Sequence, residues 1–216
     1  MTPPLAEPVC IAGEEAVTVP PIGAGPHLEA MLRAPADPAR AVLMCHAHPL
    51  YAGSMHCALI VAIAELLIAR DRCAVLRFNY RGVGKSEGRY DEGRGETMDA
   101  RAALRFLRRL APNASLSVCG HSFGARIALR AAAAEPAIER LALLAPIGRG
   151  KVRAFAGDAA IFVGERDPHC TIDGARSLAE ALDAELHVVE HADHFFLEVR
   201  SSVAAMVARH IAPEAA

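Results

Sequence analysis

The stretch Val118-Cys119-Gly120-His121-Ser122-Phe123-Gly124 runs from an apolar strand into a helix rich in Ala and Arg. Residues 120–124 read G-x-S-x-G, and a strand before and a helix after give that pattern chemical meaning. A serine in so tight a turn is held with its hydroxyl clear of the backbone. The flanking glycines leave room for strand and helix to approach closely. Ser122 is therefore the first candidate nucleophile. The pattern alone is weak, because a small-residue turn between strand and helix is often only a packing device. The rest of the chain must decide.

Working outward, short apolar runs recur at residues 40–45, 74–79, 116–120, 141–145, 159–163 and 186–190. They are nearly continuous in hydrophobicity and do not alternate, as expected of parallel strands covered on both faces. Between them lie helical segments at 54–70, 95–110, 123–134 and 172–182, with a last helix from about 197 to 210. The first forty residues differ, with turn-rich stretches around Val17-Thr18-Val19 and 27–33 that suit a less regular antiparallel edge. The expectation is one α/β domain over 1–216 with a mainly parallel sheet. Its catalytic groups should then lie in loops at the carboxyl ends of the strands.

Composition narrows the function classes. With 53% hydrophobic and 22% charged residues, the chain is globular, and a formal net charge of −2 gives no electrostatic case for nucleic acid or an anionic membrane. The longest apolar stretch, residues 57–69, is too short to span a bilayer and is interrupted by Glu65. The first eight residues have neither a basic start nor an apolar core, so no signal peptide is visible. Six cysteines occur without a C-x-x-C pair or metal-like spacing, several inside strand runs, and read as reduced packing residues of a cytoplasmic protein. The arginines of 105–109 read as the wet side of a helix.

A serine hydroxyl needs a base to take its proton, and the base works best when a third group orients it. Two later strands end in suitable residues: Gly164-Glu165-Arg166-Asp167-Pro168, and His191-Ala192-Asp193-His194-Phe195-Phe196. The order Ser122, Asp167, His194 is the one this architecture requires.

On these pieces the chain resembles a small α/β-hydrolase over nearly its whole length from about residue 27. The segment Phe78-Asn79-Tyr80-Arg81-Gly82-Val83-Gly84-Lys85-Ser86 is similar to that family's Arg-Gly-x-Gly-x-Ser loop. More narrowly, His46-Ala47-His48-Pro49-Leu50-Tyr51-Ala52-Gly53-Ser54-Met55 resembles a bacterial subgroup of small, lidless serine hydrolases. The resemblance implies Ser122 as nucleophile, His194 as general base and then acid, and Asp167 as the orienting carboxylate. His191 and Asp193 are assigned structural roles, because neighbours on one short loop cannot all face one serine. Asn79 stands where many family members carry Asp, at a position expected to support the loop.

An oxyanion hole needs two backbone N–H groups aimed at the developing negative oxygen. Phe123, after the nucleophile, should supply one. The loop after residues 40–45 should supply the other, with His48 first and Ala47 or Leu50 as replacements; Pro49 has no N–H. His46-Ala47-His48 invites a metal reading, but further ligands at recognisable spacing are missing, since His56 is expected on the following helix. His46 reads instead as closing its loop through side-chain hydrogen bonds. Neither metal nor cofactor is expected.

Only residues 146–158 separate the fifth strand run from the fourth, and thirteen residues cannot build a lid domain. A shallow, water-accessible site favours small or partly exposed acyl substrates. Arg81, Lys85, Arg89 and Arg94 crowd one loop region, where a solvated surface outweighs selection of an anionic substrate. The expected activity is carboxylic ester hydrolysis through an acyl-enzyme, with thioesterase and peptidase variants of the same triad. Haloperoxidase-like perhydrolysis shares the triad, whereas serine at the turn disfavours an aspartate-nucleophile dehalogenase or epoxide hydrolase. The contrasting class is a binding protein on the same fold with an idle site. The partner is a small acyl substrate, and a homodimer is left open.

Overall fold

Apolar runs separated by helices can bury both of their faces only if the helices cover a parallel sheet, and the chain folds in this way. A computed structural model describes residues 7–70, 72–135, 137–148 and 155–213. In chain order the elements are β1 (Glu15–Val19), β2 (Leu28–Arg33), β3 (Arg40–Cys45), α1 (Ala58–Ile68), β4 (Cys73–Phe78), α2 (Arg94–Leu110) and β5 (Ser115–His121). They continue with α3 (Phe123–Ala132), β6 (Ile138–Leu144), β7 (Asp158–Gly164), α4 (Ile172–Leu182), β8 (Glu185–Val189) and α5 (Arg200–Ile211). The strands form one eight-stranded sheet in the order β1-β2-β4-β3-β5-β6-β7-β8. Strands β3 to β8 pair in parallel, while β1 and β2 pair antiparallel at one edge, as expected for the first forty residues.

This strand order decides where a site can form. The connection β3–α1–β4 moves one way along the sheet, and β5–α3–β6 moves the other way. Right-handed crossovers therefore put α1 and α3 on opposite faces. Helix α5 packs beside α1, and α2 packs beside α3. The reversal opens a crevice at the carboxyl ends of β3 and β5, between the loop that starts at His46 and the turn that holds Ser122.

Local sequence explains the elements. In α2, Ala100, Ala103, Leu104 and Leu107 are buried at helical spacing, while Arg105 and Arg109 are exposed. Its start is fixed by Glu96, whose carboxylate accepts from the N–H groups of Asp91 (2.8 Å) and Gly93 (2.6 Å). Thr171 caps α4 by accepting from Gly174 N–H at 3.1 Å.

Several boundaries differ from expectation. Helix α1 begins at Ala58 and not at 54, because Cys57 N–H bonds Ser54 C=O in a turn, which also takes His56 off the helix. Helix α5 begins at Arg200, since Asp193 Oδ1 holds the N–H groups of Phe195 and Leu197 in a separate turn. Strand β4 is not wholly apolar: Arg77 is fully buried within it and paired with Glu14 at 2.8 Å. Asn79 does support its loop. Its Oδ1 accepts from Met55 N–H, and its Nδ2 donates to Glu29 Oε2, each at 2.8 Å. An aspartate there would set a second carboxylate against Glu29.

The connection between β6 and β7 covers residues 145–157, of which 149–154 lie outside the described residues, as does the start of the segment read for a signal peptide. Among the described residues no helix is long and apolar enough to cross a membrane. The described cysteines are all free thiols.

Candidate active site

Ser122 sits at φ 58°, ψ −116°, a left-handed conformation that costs an L-residue energy and lifts its side chain out of the strand-to-helix path. The turn is tight because Gly124 has no side chain: a methyl there would overlap the carbonyl oxygens of Cys45 and His46 on the neighbouring loop. Ser122 N–H donates to Leu144 C=O at 2.8 Å, so the turn hangs from β6.

The two later loops are tied to each other. Arg166 N–H donates to Ala192 C=O at 2.9 Å, and Glu165 N–H to Val189 C=O at 2.9 Å. Gly164 permits this approach, because a Cβ there would lie 2.5 Å from Ala192 O and 2.7 Å from Asp193 O. The glycine of the Gly164–Asp167 segment thus brings the aspartate's loop to the histidine's loop.

The side chains of Ser122, His194 and Asp167 meet in one line. Ser122 Oγ lies 2.9 Å from His194 Nε2, and His194 Nδ1 lies 2.7 Å from Asp167 Oδ2. All three residues are buried, at 5%, 6% and 8% exposure, so these polar groups are committed to one another. Burial pushes the Asp167 carboxyl toward protonation. Hydrogen bonds from His194, Cys170 N–H and His169 N–H outweigh it and hold the pKa below the usual value. The ionised carboxylate accepts from Nδ1–H, which leaves Nε2 free to accept the serine hydroxyl proton.

Neighbouring histidines are fixed as neutral bases. His121 is buried, its pKa pushed down to about 4 chiefly by desolvation, and its Nε2–H donates to His194 C=O at 3.0 Å. His46 is pushed down by burial to about 3; it accepts from Tyr80 N–H (3.2 Å) and donates from Nδ1 to Ala47 C=O (2.7 Å). That is the loop-closing arrangement expected of it. Among the described residues no three His, Cys, Asp or Glu side chains converge as a metal site would need.

In the loop after β3, a short 3-10 turn over Pro49–Tyr51 follows His48. Leu50 N–H donates to His48 Nδ1 at 3.2 Å, which removes Leu50 from the oxyanion candidates. Phe123 opens α3, where a backbone N–H has no intrahelical acceptor. His191 and Asp193 lie off the serine line. His191 N–H donates to Glu165 (2.8 Å) and its ring faces Arg166 (2.9 Å), while Asp193 holds its own turn.

Two of the four cations of the crowded basic loop are paired. Arg81 forms a two-pronged pair with Asp99 at 3.0 and 2.7 Å, and Arg94 pairs with Asp91 at 3.2 Å. Two residues that the sequence reading passed over stand close to the site instead. Tyr90 Oη lies 3.1 Å from His48 Nε2, and the Arg126 guanidinium carbon lies 5.5 Å from the Phe123 ring centre. Arg126 was legible in principle, four residues after Ser122 on the helix that Ser122 precedes. Nothing in the sequence marks Tyr90.

A family profile described as the alpha/beta hydrolase fold matches residues 40–156. An uncharacterized protein of Rickettsia prowazekii is 34% identical over 169 residues, covering 71% of each chain. A structure of an alpha-beta serine hydrolase homologue from Coxiella burnetii superposes with a TM-score of 0.83 at 27% identity, covering 94% of this chain and 100% of the other. A serine hydrolase without lid from Xanthomonas campestris superposes with a TM-score of 0.80 at 29% identity, covering 94% and 95%.

Proposed function

This chain belongs to the alpha/beta hydrolase family, and we propose that it is a serine hydrolase that cleaves small carboxylic esters through an acyl-enzyme on Ser122. The observation that carries this reading is the unbroken hydrogen-bonded line from Ser122 Oγ through His194 to the ionised Asp167. Ser122 Oγ attacks the ester carbonyl carbon while His194 Nε2 takes the hydroxyl proton. The carbonyl oxygen becomes an oxyanion, received by Phe123 N–H and a second N–H from His48 or Ala47. Collapse of the tetrahedral species expels the alcohol, which takes the proton back from His194. Water, deprotonated by His194, then attacks the acyl-enzyme, and collapse releases the acid and restores Ser122 Oγ–H.

Asp167 keeps His194 in the tautomer with Nδ1 protonated and stabilises the imidazolium that forms. The short connection between β6 and β7 and the exposed rim side chains Leu50, Tyr51, Phe195 and Leu197 support an open site for small acyl groups. The free thiols support a cytoplasmic location.

A panel of para-nitrophenyl esters from acetyl to dodecanoyl, with matching thioesters and anilides, tests the reading. Short esters should be the best substrates, and Ser122→Ala should lower kcat by at least about 10³-fold. Turnover of none of the three classes, or activity that survives in the serine variant, contradicts it. The first of those results is the one expected of a binding protein with an idle site.

A further inference from the structure

Resting on that reading, we infer that Arg126, together with the Tyr90 hydroxyl, forms an anion-recognition point beside Ser122 that selects esters carrying a carboxylate. Arg126 lies four residues after the nucleophile, in the opening turn of α3, and its guanidinium packs on the Phe123 ring. His48 and Tyr90 pack on that same ring, at 4.7 and 6.1 Å between centres. The cation therefore borders the groups next to the reacting bond.

Neither ion pairing nor helix electrostatics accounts for a cation in this place. A helix N-terminus carries partial positive charge, which disfavours Arg there. Arg130, one turn on, is a second cation on the same face, and like charges at this spacing repel. Its pKa is lowered, first by burial and then by Arg126. Among the described residues no carboxylate lies within ion-pairing distance of Arg126. The nearby acids are engaged elsewhere: Asp91 and Glu92 face Arg94, and Glu96 holds the backbone amides of Asp91 and Gly93.

Arg126 Nε is enclosed and has no acceptor among the described residues, so the guanidinium is anchored by no hydrogen bond there and its terminal N–H groups are the ones open to an anion. Arg101 shares that orphaned Nε but has Glu135 at 3.5 Å, and of the enclosed arginines only Arg126 stacks on a described aromatic ring. The charge is felt across the site: the pKa of His48 is lowered by burial first and by Arg126 second.

Tyr90 supplies the second donor. Leu50 N–H occupies His48 Nδ1, so His48 carries its proton on Nε2 and donates it to Tyr90 Oη. The Tyr90 hydroxyl hydrogen is then available to a ligand. A planar guanidinium and a phenolic O–H match a carboxylate, which Arg binds in a two-pronged fashion.

The test compares para-nitrophenyl hemisuccinate and hemiglutarate with their neutral methyl esters, read as the ratio of kcat/KM, charged over neutral. Wild-type protein should prefer the charged member at least about tenfold, the factor expected when one charge-assisted pair is made in the complex. Arg126→Gln should collapse the ratio, chiefly through KM for the charged ester, and Arg126→Lys should keep part of it. Thermal melting of both variants separates recognition from misfolding. A wild-type ratio near one overturns the inference, as does Arg126→Gln lowering both esters by the same factor, which is what a packing role would give. Continued hydrolysis of both esters by Ser122→Ala would instead strike at the serine reading itself.

Discussion

At the scale of single residues, the proposed chemistry depends on which hydrogen atom sits on which nitrogen. Asp167 Oδ2 faces His194 Nδ1, and Oδ1 accepts from the N–H groups of His169 and Cys170 at 2.7 and 2.9 Å. In Asp167→Asn the amide oxygen can keep the two backbone donors, which turns the NH₂ group toward Nδ1. His194 must then accept at Nδ1 and carry its proton on Nε2, where it cannot take the serine proton. The expected loss in kcat is on the order of 10⁴. Steady-state kinetics on the best ester checks it, and a loss below tenfold would mean that Asp167 does not orient the base. The residues of this line were legible because each follows a strand and carries a chemically distinctive side chain. Tyr90 was not, since a lone tyrosine in a loop says nothing until the fold brings His48 to it. Arg77 was hidden for a related reason: its partner Glu14 lies far upstream, in a segment that reads as irregular.

At the scale of elements, the site depends on loops pressed closer than side chains permit. Gly124 lets α3 start against the carbonyls of Cys45 and His46, and Gly164 lets the Asp167 loop meet the His194 loop. Gly124→Ala places a methyl on backbone atoms that cannot rotate away. The Ser122 turn and the loop after β3 must separate, and the proposed oxyanion donors with them. The expected outcome is a fall of at least tenfold in kcat/KM together with a lower melting temperature, read by ester hydrolysis and calorimetry; an unchanged kcat/KM would refute the close-approach account. Strand cores were legible from continuous hydrophobicity, and Ile172–Leu182 as a helix-length segment between two of them, because each signal is local. The starts of α1 and α5 were not. Side-chain and backbone bonds of Ser54 and Asp193 hold those residues in turns that compete with the helix.

At the scale of the whole molecule, burial of neutral histidines next to the site links stability to pH. His46 and His121 titrate near 3 and 4 in the folded chain, against 6.5 for an exposed imidazole, with desolvation the first cause in both. Between those values the unfolded chain binds protons that the folded chain refuses. Stability is therefore level above about pH 6.5 and falls as pH drops, by about 1.4 kcal/mol per pH unit for each histidine. Asp167 works in a lower window: its depressed pKa adds stability above the usual carboxyl value, which is lost only as pH falls through the folded value. Urea unfolding at pH 7.5 and 5 should give a lower midpoint in acid, and His121→Gln should reduce the difference; equal midpoints for wild-type protein would contradict it.

The sheet order collects these residues at the carboxyl edge, where Ser122 is the proposed nucleophile. The most direct measurement is reaction of the folded protein with a fluorophosphonate, followed by mass spectrometry of the intact chain and its peptides. The expected result is one phosphonyl group, on the peptide that holds Ser122, slowed strongly in His194→Ala and absent in Ser122→Ala. No adduct on the folded chain, or an adduct on another residue that persists in Ser122→Ala, would contradict it.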